Sequence, residues 1–278
     1  MRELYFRFGG KNMGSNIYSD KNKLNDLTGS EWKFCTKSVI SKPYPINMQH
    51  KLRSEHGGQK PPELCADIIK MFTKKGMKVL DPFMGVGGTL LGASLIEREA
   101  VGIDLNKRWI DIYKEVSNLE NLKEQETICG DSLKVLDKYD DEMFDFILTD
   151  VPYWNMDALE KTRNKSIKQS KLNNFKNKTE AQSKDEWLDL MKNILEKSVK
   201  KLKKGKYLAV FIGDMYRNSE YFCLSGELAS KLSEIDDLKM KANIIWYDPS
   251  KSLHVFGYPA AFVPSMIHQN ILIFRRDN

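Results

Sequence analysis

Apolar residues along this chain fall into short unbroken runs separated by longer one-faced stretches, the alternation of buried strands and amphipathic helices that builds an open α/β sheet. The clearest run is Phe144-Asp145-Phe146-Ile147-Leu148, a buried strand that stops abruptly at Thr149-Asp150-Val151-Pro152-Tyr153-Trp154. Upstream, Pro61 and Pro62 open a helix whose apolar positions 64, 68, 69 and 72 share a face, and which closes near Gly76. Lys78 to Asp81 then reads as a strand, a glycine-rich loop runs from Pro82 to Thr89, and Leu90 to Ile96 continues as helix. Two further strands are predicted at Ala100 to Asp104 and around Thr127 to Cys129. Ser183-Lys184-Asp185-Glu186 makes a capping box for a helix from Asp185 to about Lys204, with Trp187, Met191, Leu195, Val199 and Leu202 along its apolar stripe. Lys206 to Gly213 is a buried strand and Glu220 to Ser233 a helix. The last two strands, Ala242 to Tyr247 and Asn270 to Arg275, are joined without a crossover helix and must pair antiparallel.

Residues 1–55 break the pattern. Gly9, Gly10, Gly14, Gly29, Pro43 and Pro45 argue for little regular structure there, with Leu24 to Trp32 an ordered turn anchored by the indole. The organisation expected is therefore an irregular segment over 1–55 and one α/β domain over 56–278, interrupted by a basic insertion at about 155–184. Inside that insertion Lys161, Arg163, Lys165, Lys168, Lys171, Lys176 and Lys178 follow one another with no acid between them. Such a block is a solvated loop on its own, and it also suits a phosphate backbone. Lys200, Lys201, Lys203 and Lys204 crowd a helix C-terminus, where they offset the dipole, and carry no such assignment.

Composition narrows the class. The 278 residues are 41% hydrophobic and 29% charged, as in soluble globular proteins, with a formal net charge of +6. No apolar stretch approaches the ~20 residues of a membrane helix, and the opening Met1 to Phe6 lacks a signal-peptide core, so a cytoplasmic protein is expected. Cys35, Cys65, Cys129 and Cys223 are too scattered for a zinc site or redox dithiol; none follows a proline, and they read as small buried hydrophobes.

The chemistry lies at the strand ends. Successive strands end in or just before Asp81, Asp104, Asp131 and Asp150. The loop Gly85-x-Gly87-Gly88 lets backbone approach a ligand at a helix N-terminus. It lacks both the third glycine of a dinucleotide fingerprint and the Lys-Ser/Thr pair of a triphosphate loop. Asp104 stands about 20 residues beyond the first glycine, where a ribose-binding carboxylate is expected. That series favours a nucleoside ligand without phosphate. At the last strand, the Asp150 carboxylate and the Val151 carbonyl offer two acceptors, and Tyr153 or Trp154 a stacking face. Two acceptors holding both hydrogens of an exocyclic base amine would localise its delocalised lone pair and make it nucleophilic, while the ring holds the unstacked base. The plain alternative is a strand-to-helix turn with an aspartate cap and buried aromatics.

With these residues in view, the chain resembles the amino-methylating DNA methyltransferases, which use S-adenosylmethionine to methylate adenine N6 or cytosine N4. The resemblance covers residues 56 to 275. The family's Asp-Pro-Phe-x-Gly-x-Gly cofactor loop is matched by Asp81, Pro82, Phe83, Gly85 and Gly87, with Thr89 beyond it, and its ribose acid by Asp104. Asp131, followed by Ser132, falls where the acid near the adenine is expected, and the His56 to Leu64 segment, with Lys60 and Pro61, resembles the one that helps hold the methionine end. Asp150-Val151-Pro152-Tyr153 matches the catalytic Asp-Pro-Pro-aromatic motif with valine for the first proline, which keeps the carbonyl but frees φ. The resemblance implies a Rossmann-like S-adenosylmethionine-dependent methyltransferase fold, a mostly parallel seven-stranded sheet with an antiparallel C-terminal hairpin. It implies catalysis by Asp150, Val151, Pro152 and Tyr153, stacking by Tyr153 and Trp154, and S-adenosylhomocysteine as product, with no metal. It also implies double-stranded DNA as partner through Lys161, Arg163, Lys165, Lys168 and Lys171, and a cognate restriction endonuclease for a restriction-modification member. Asp at position 150 leans toward adenine N6. Cytosine N4, an RNA amine, and a degenerate nucleic-acid-binding module suggested by Val151 are the other readings.

Overall fold

The computed structural model describes residues 18–154, 183–249 and 251–277. Its strands are β1 (Val39–Ile40), β2 (Lys78–Asp81), β3 (Glu99–Asp104), β4 (Glu126–Cys129), β5 (Phe144–Asp150), β6 (Leu202–Ile212), β7 (Met215–Arg217), β8 (Glu220–Phe222), β9 (Leu238–Tyr247) and β10 (His268–Arg276). The helices are α1 (Gly29–Cys35), α2 (His50–Arg53), α3 (Pro62–Phe72), α4 (Gly88–Leu95), α5 (Lys107–Leu119), α6 (Ser132–Val135), α7 (Lys184–Lys201) and α8 (Leu224–Leu232).

One sheet organises the chain, in the order β1-β9-β10-β6-β5-β2-β3-β4, with β10 antiparallel to both neighbours and the other pairings parallel. The seven expected strands are all present, and β1 adds a short eighth at the edge. Strand alternation divides the core into two layers. Val79, Phe146, Leu148, Phe211 and Ile271 face α3, α4 and α5, while Leu80, Ile147, Val210, Leu272 and Phe274 face α7 and α8. Successive side chains of a strand point to opposite faces, so an unbroken apolar run such as 144–148 is what a sheet covered on both sides requires.

Several local expectations change, among them the end of α7, since Leu202 to Lys204 open β6 and do not continue the helix. Glu220 to Phe222 pair with β7 instead of opening α8, because Asp214 accepts both the Tyr221 hydroxyl, at 2.7 Å, and the Ser225 backbone N–H, at 2.8 Å. The segment before residue 56 holds regular structure: Thr28 and Glu31 form a capping box that starts α1, and Val39 and Ile40 are templated by the open edge of β9. Trp32 is no anchor there, since it is exposed on α1; Asn25, buried and donating to the Met71 carbonyl at 2.6 Å, does that work. Finally, only Cys65 of the four cysteines is buried; Cys129, at the end of β4, and Cys223, just past β8, are exposed.

A candidate active site at the carboxyl edge of the sheet

The chain runs from β2 to β3 on one side and returns to β5 on the other, so the sheet changes direction between β2 and β5. A crevice opens beyond the strand ends at such a point. β2 ends at Asp81, β3 at Asp104 and β5 at Asp150, with Asp131 two residues past β4.

The glycine loop is built around these acids. Asp81 is buried and turned into the loop, where its Oδ1 accepts from the Thr149 hydroxyl at 2.7 Å and the Phe83 N–H at 3.1 Å. Burial pushes its carboxyl up to about 6. Gly85 and Gly87 both have positive φ, at 49° and 77°, and a Cβ on Gly87 would sit 2.2 Å from the Tyr113 ring. Only glycine fits there. Thr89 is buried and its hydroxyl points to the Leu148 carbonyl at 3.4 Å, Ser132 donates to the Pro82 carbonyl at 2.6 Å, and Phe83 is half-buried against the core. Asp104 accepts from the Gly85 N–H at 2.9 Å and the Asn106 N–H at 2.7 Å, one on each oxygen. A carboxylate has about four lone-pair sites, so two remain for hydroxyl donors. Burial pushes Asp104 up to about 6 as well. Asp131 caps α6, accepting from the Leu133 N–H at 3.0 Å.

The segment ahead of α3 closes the crevice from the other side. Pro61 caps α3, and Arg53, 1% exposed, donates to the Lys60 carbonyl and so fixes that backbone. His56 packs edge-on to Trp109 with centroids 5.1 Å apart, and a Cβ on Gly85 would meet its Nε2 at 2.9 Å. Burial, aided by the nearby Lys60 and Arg53 charges, lowers His56 to about 4, so the ring is neutral at pH 7. Its Nδ1 is buried without a partner.

Lys60 reaches across to Asp150. Its ammonium pairs with Oδ2, lying 5.9 Å from the Tyr153 ring centroid and 5.4 Å from that of Phe211, while Asp150 Oδ1 is buried with no hydrogen bond. Burial raises the Asp150 pKa and the Lys60 charge opposes that rise. Beyond it, Val151 is buried in the core, and the Pro152 carbonyl accepts from the Trp187 indole at 2.8 Å, which ties the turn to α7. Tyr153 lies against Gly213, and its hydroxyl is held at 2.8 Å by the amide of Gln269, the second residue of β10. Trp154 packs against Phe222 at 5.3 Å, on the α7 side.

The structure thus gathers Lys60, Asp81, Gly85, Gly87, Asp104 and Asp150 around one crevice and sets Trp154 into packing. Lys161, Arg163, Lys165, Lys168 and Lys171 lie outside the described residues. Arg53, Trp187 and Gln269 are additions, while His56 opens the segment expected to help hold the methionine end; Trp187 is visible in the sequence only as one apolar position of a helix, and Gln269 has no local signal. The residue set fits a nucleoside sulfonium of the S-adenosylmethionine kind: Asp104 keeps lone pairs for ribose hydroxyls, and Gly85 and Gly87 place no side chain at their positions in the loop.

The sequence model of the N6/N4 methyltransferase family, described as DNA methylase, matches residues 12–115 and 144–278. A tRNA (guanine(10)-N2)-dimethyltransferase of Pyrococcus abyssi (strain GE5 / Orsay) is 28% identical over 110 residues, which are 40% of this chain and 33% of that protein. The type II methyltransferase M2.DpnII of Streptococcus pneumoniae is 38% identical over 71 residues, 26% of each chain. The matches therefore span a third or less of these relatives' length. TrmN from Thermus thermophilus superposes with a TM-score of 0.54 at 13% identity, covering 84% of this chain and 54% of that one, a likeness of fold. Among the described residues no helix is long and apolar enough to cross a membrane.

Proposed function

The chain belongs to the N6/N4 methyltransferase family, and from that premise we propose that it methylates an exocyclic amino group of a base in double-stranded DNA, adenine N6 first. Its cofactor is S-adenosylmethionine. When bound, that cofactor supplies a methyl group already activated on a sulfonium and leaves as S-adenosylhomocysteine. The rest falls to the protein. Asp104 and the Gly85–Gly87 backbone hold the nucleoside end, Asp131 and Ser132 stand beside it, and Lys60 and Pro61 border the methionine end. The Tyr153 ring, steadied by Gln269, is the stacking surface for an extruded base.

The single observation that carries this reading is the Asp150 carboxylate, with one oxygen held by Lys60 and the other buried and unpartnered at the crevice. A buried acceptor without a donor is costly unless a ligand supplies one. An exocyclic amine does so: Asp150 Oδ1 takes one hydrogen, the Val151 carbonyl the other, and the nitrogen lone pair turns toward the methyl. Because burial raises its pKa, Asp150 is also the group placed to hold the proton that the amine sheds. A cognate endonuclease belongs to the same reading.

An RNA amine is the second reading, favoured by the tRNA guanine-N2 enzymes among the relatives, since that acceptor is also an exocyclic amine. The test is incubation of unmethylated DNA and of total RNA with labelled cofactor, digestion to nucleosides and identification by mass. N6-methyladenine in DNA is the expected product, and N4-methylcytosine moves the target base. A methylated guanine or adenine found only in RNA transfers the activity to RNA, and binding without product makes the chain a binding module.

A further inference from the structure

Between β9 and β10, residues 251–267 form an arm with no core of its own. The Asp248 N–H donates to the Ile267 carbonyl at 2.9 Å, the His254 N–H to the Ser265 hydroxyl at 2.9 Å, and Phe256 bridges Val263 in antiparallel register. Gly257, at a φ of 74°, then turns the tip, where Ala260 and Ala261 donate back to its carbonyl. This ladder holds apolar side chains out of the fold: Val255 is 83% exposed, Tyr258 81% and Phe262 89%. His254 and Phe256 lie against each other, centroids 5.2 Å apart. Exposed aromatics grouped on a shaped arm mark a surface that something covers.

Position and chemistry name the occupant. β10 runs antiparallel to β6, with Asn270 opposite Ile212, so the arm is rooted at the edge where β5 delivers Asp150. Gln269, one residue into β10, grips the Tyr153 hydroxyl, so arm and base-holding ring share a support. No acid occurs from Pro249 to Gln269, where the basic side chains are Lys251, His254 and His268, a balance that suits a polyanion. A base drawn out of a duplex leaves unstacked neighbours, whose faces are flat, apolar and best met by rings.

We propose that this arm is a stacking surface for duplex DNA, with Tyr258 and Phe262 packing on the bases that flank the extruded one. The proposal rests on the reading of the crevice as a base-methylating site, and names a second set of contacts for the same substrate.

The test uses the full chain, labelled S-adenosylmethionine and sheared unmethylated genomic DNA, with total RNA in parallel, comparing the parent with Tyr258→Ala/Phe262→Ala and with Tyr258→Phe/Phe262→Trp. The alanine pair should raise the half-saturating DNA concentration about tenfold or more. Its salt dependence, cofactor affinity and melting temperature should match the parent's, because both rings are largely exposed in the free protein. The aromatic pair should restore the parent value. A parent that methylates DNA beside an alanine pair that does so equally well overturns the arm alone. So does an effect confined to RNA, or a parent dimer that the alanine pair converts to monomer in sedimentation. A parent that binds cofactor yet methylates neither polymer defeats the reading of the crevice, and the arm with it.

Discussion

Lys60 and Asp150, 90 residues apart in the chain, form an ion pair in which the ammonium holds only Oδ2 and leaves Oδ1 buried and empty-handed. Burial favours the neutral acid at Asp150, and the Lys60 charge favours the carboxylate against it. Lys60→Met keeps most of the volume and removes the charge, so the Asp150 pKa should climb further. Methyl transfer at neutral pH should fall, and the acid limb of the single-turnover pH profile should move to higher pH, with rate recovered as the pH is raised. A limb that stays in place would mean that Asp150 does not act as the carboxylate.

Asp150→Ala separates chemistry from binding. An acceptor that matters most as the amine nitrogen becomes tetrahedral contributes to turnover far more than to affinity. Loss of on the order of 100-fold or more in single-turnover rate is expected, as for removal of one preorganised partner elsewhere. Calorimetric cofactor affinity should stay close to that of the parent. Methylation at near the parent rate would reduce the segment to a structural turn.

How much of this was legible in the sequence depended on how local the cause was. The run from Phe144 to Leu148 and the Ser183–Glu186 capping box are read within a few residues, and both are where they were expected. The acids at the ends of β2, β3 and β5 followed from strand length alone. Glu220 to Phe222 carry a helical pattern but form a strand, because their conformation is set by pairing with β7 and by Asp214. β1 is two residues long and exists because β9 offers an open edge, which no pattern within Val39–Ile40 announces. The same holds in the site: Gln269 reaches Tyr153 across 116 residues, and such partners are products of topology.

Gly87 should tolerate no side chain. Gly87→Ala combines a left-handed φ of 77° with a Cβ 2.2 Å from the Tyr113 ring. The αL penalty and the forced repacking together cost about 2–4 kcal/mol. Gly85→Ala meets the His56 imidazole at 2.9 Å, a side chain that can swing aside, and should cost less. Urea denaturation of both variants checks the order, and equal stabilities would remove the packing argument for the loop.

The basic block is tested through salt. If Lys161, Lys165 and Lys168 meet phosphates, replacing all three by glutamine should flatten the dependence of log affinity on log salt by roughly 0.9 per lost contact. Anisotropy titrations of labelled duplex at several salt concentrations measure that slope. An unchanged slope would return the block to a solvated loop.

Asp104 ties cofactor binding to pH. Its carboxyl is raised to about 6 in the folded chain, against ~3.9 for an unperturbed aspartate. Between those values the folded state holds a proton that the unfolded state has released, so this stabilising contribution is full below about 4 and is lost as pH rises through 6. Ribose hydroxyls donating to Asp104 would favour the charged form and expel the proton on binding. Cofactor affinity should therefore climb with pH, by up to about tenfold per unit, from 4 to 6 and level off above. Asp81 is raised to a similar value, but Thr149 and the Phe83 N–H already engage it, so Asp104→Asn isolates the effect. That variant should lose about 1.5–3 kcal/mol of cofactor binding at neutral pH, and the pH slope with it. Calorimetry near pH 5.5 in two buffers of different ionisation enthalpy counts the released proton directly. A parent whose affinity is flat across this range, with no proton released, would place the ribose on another residue.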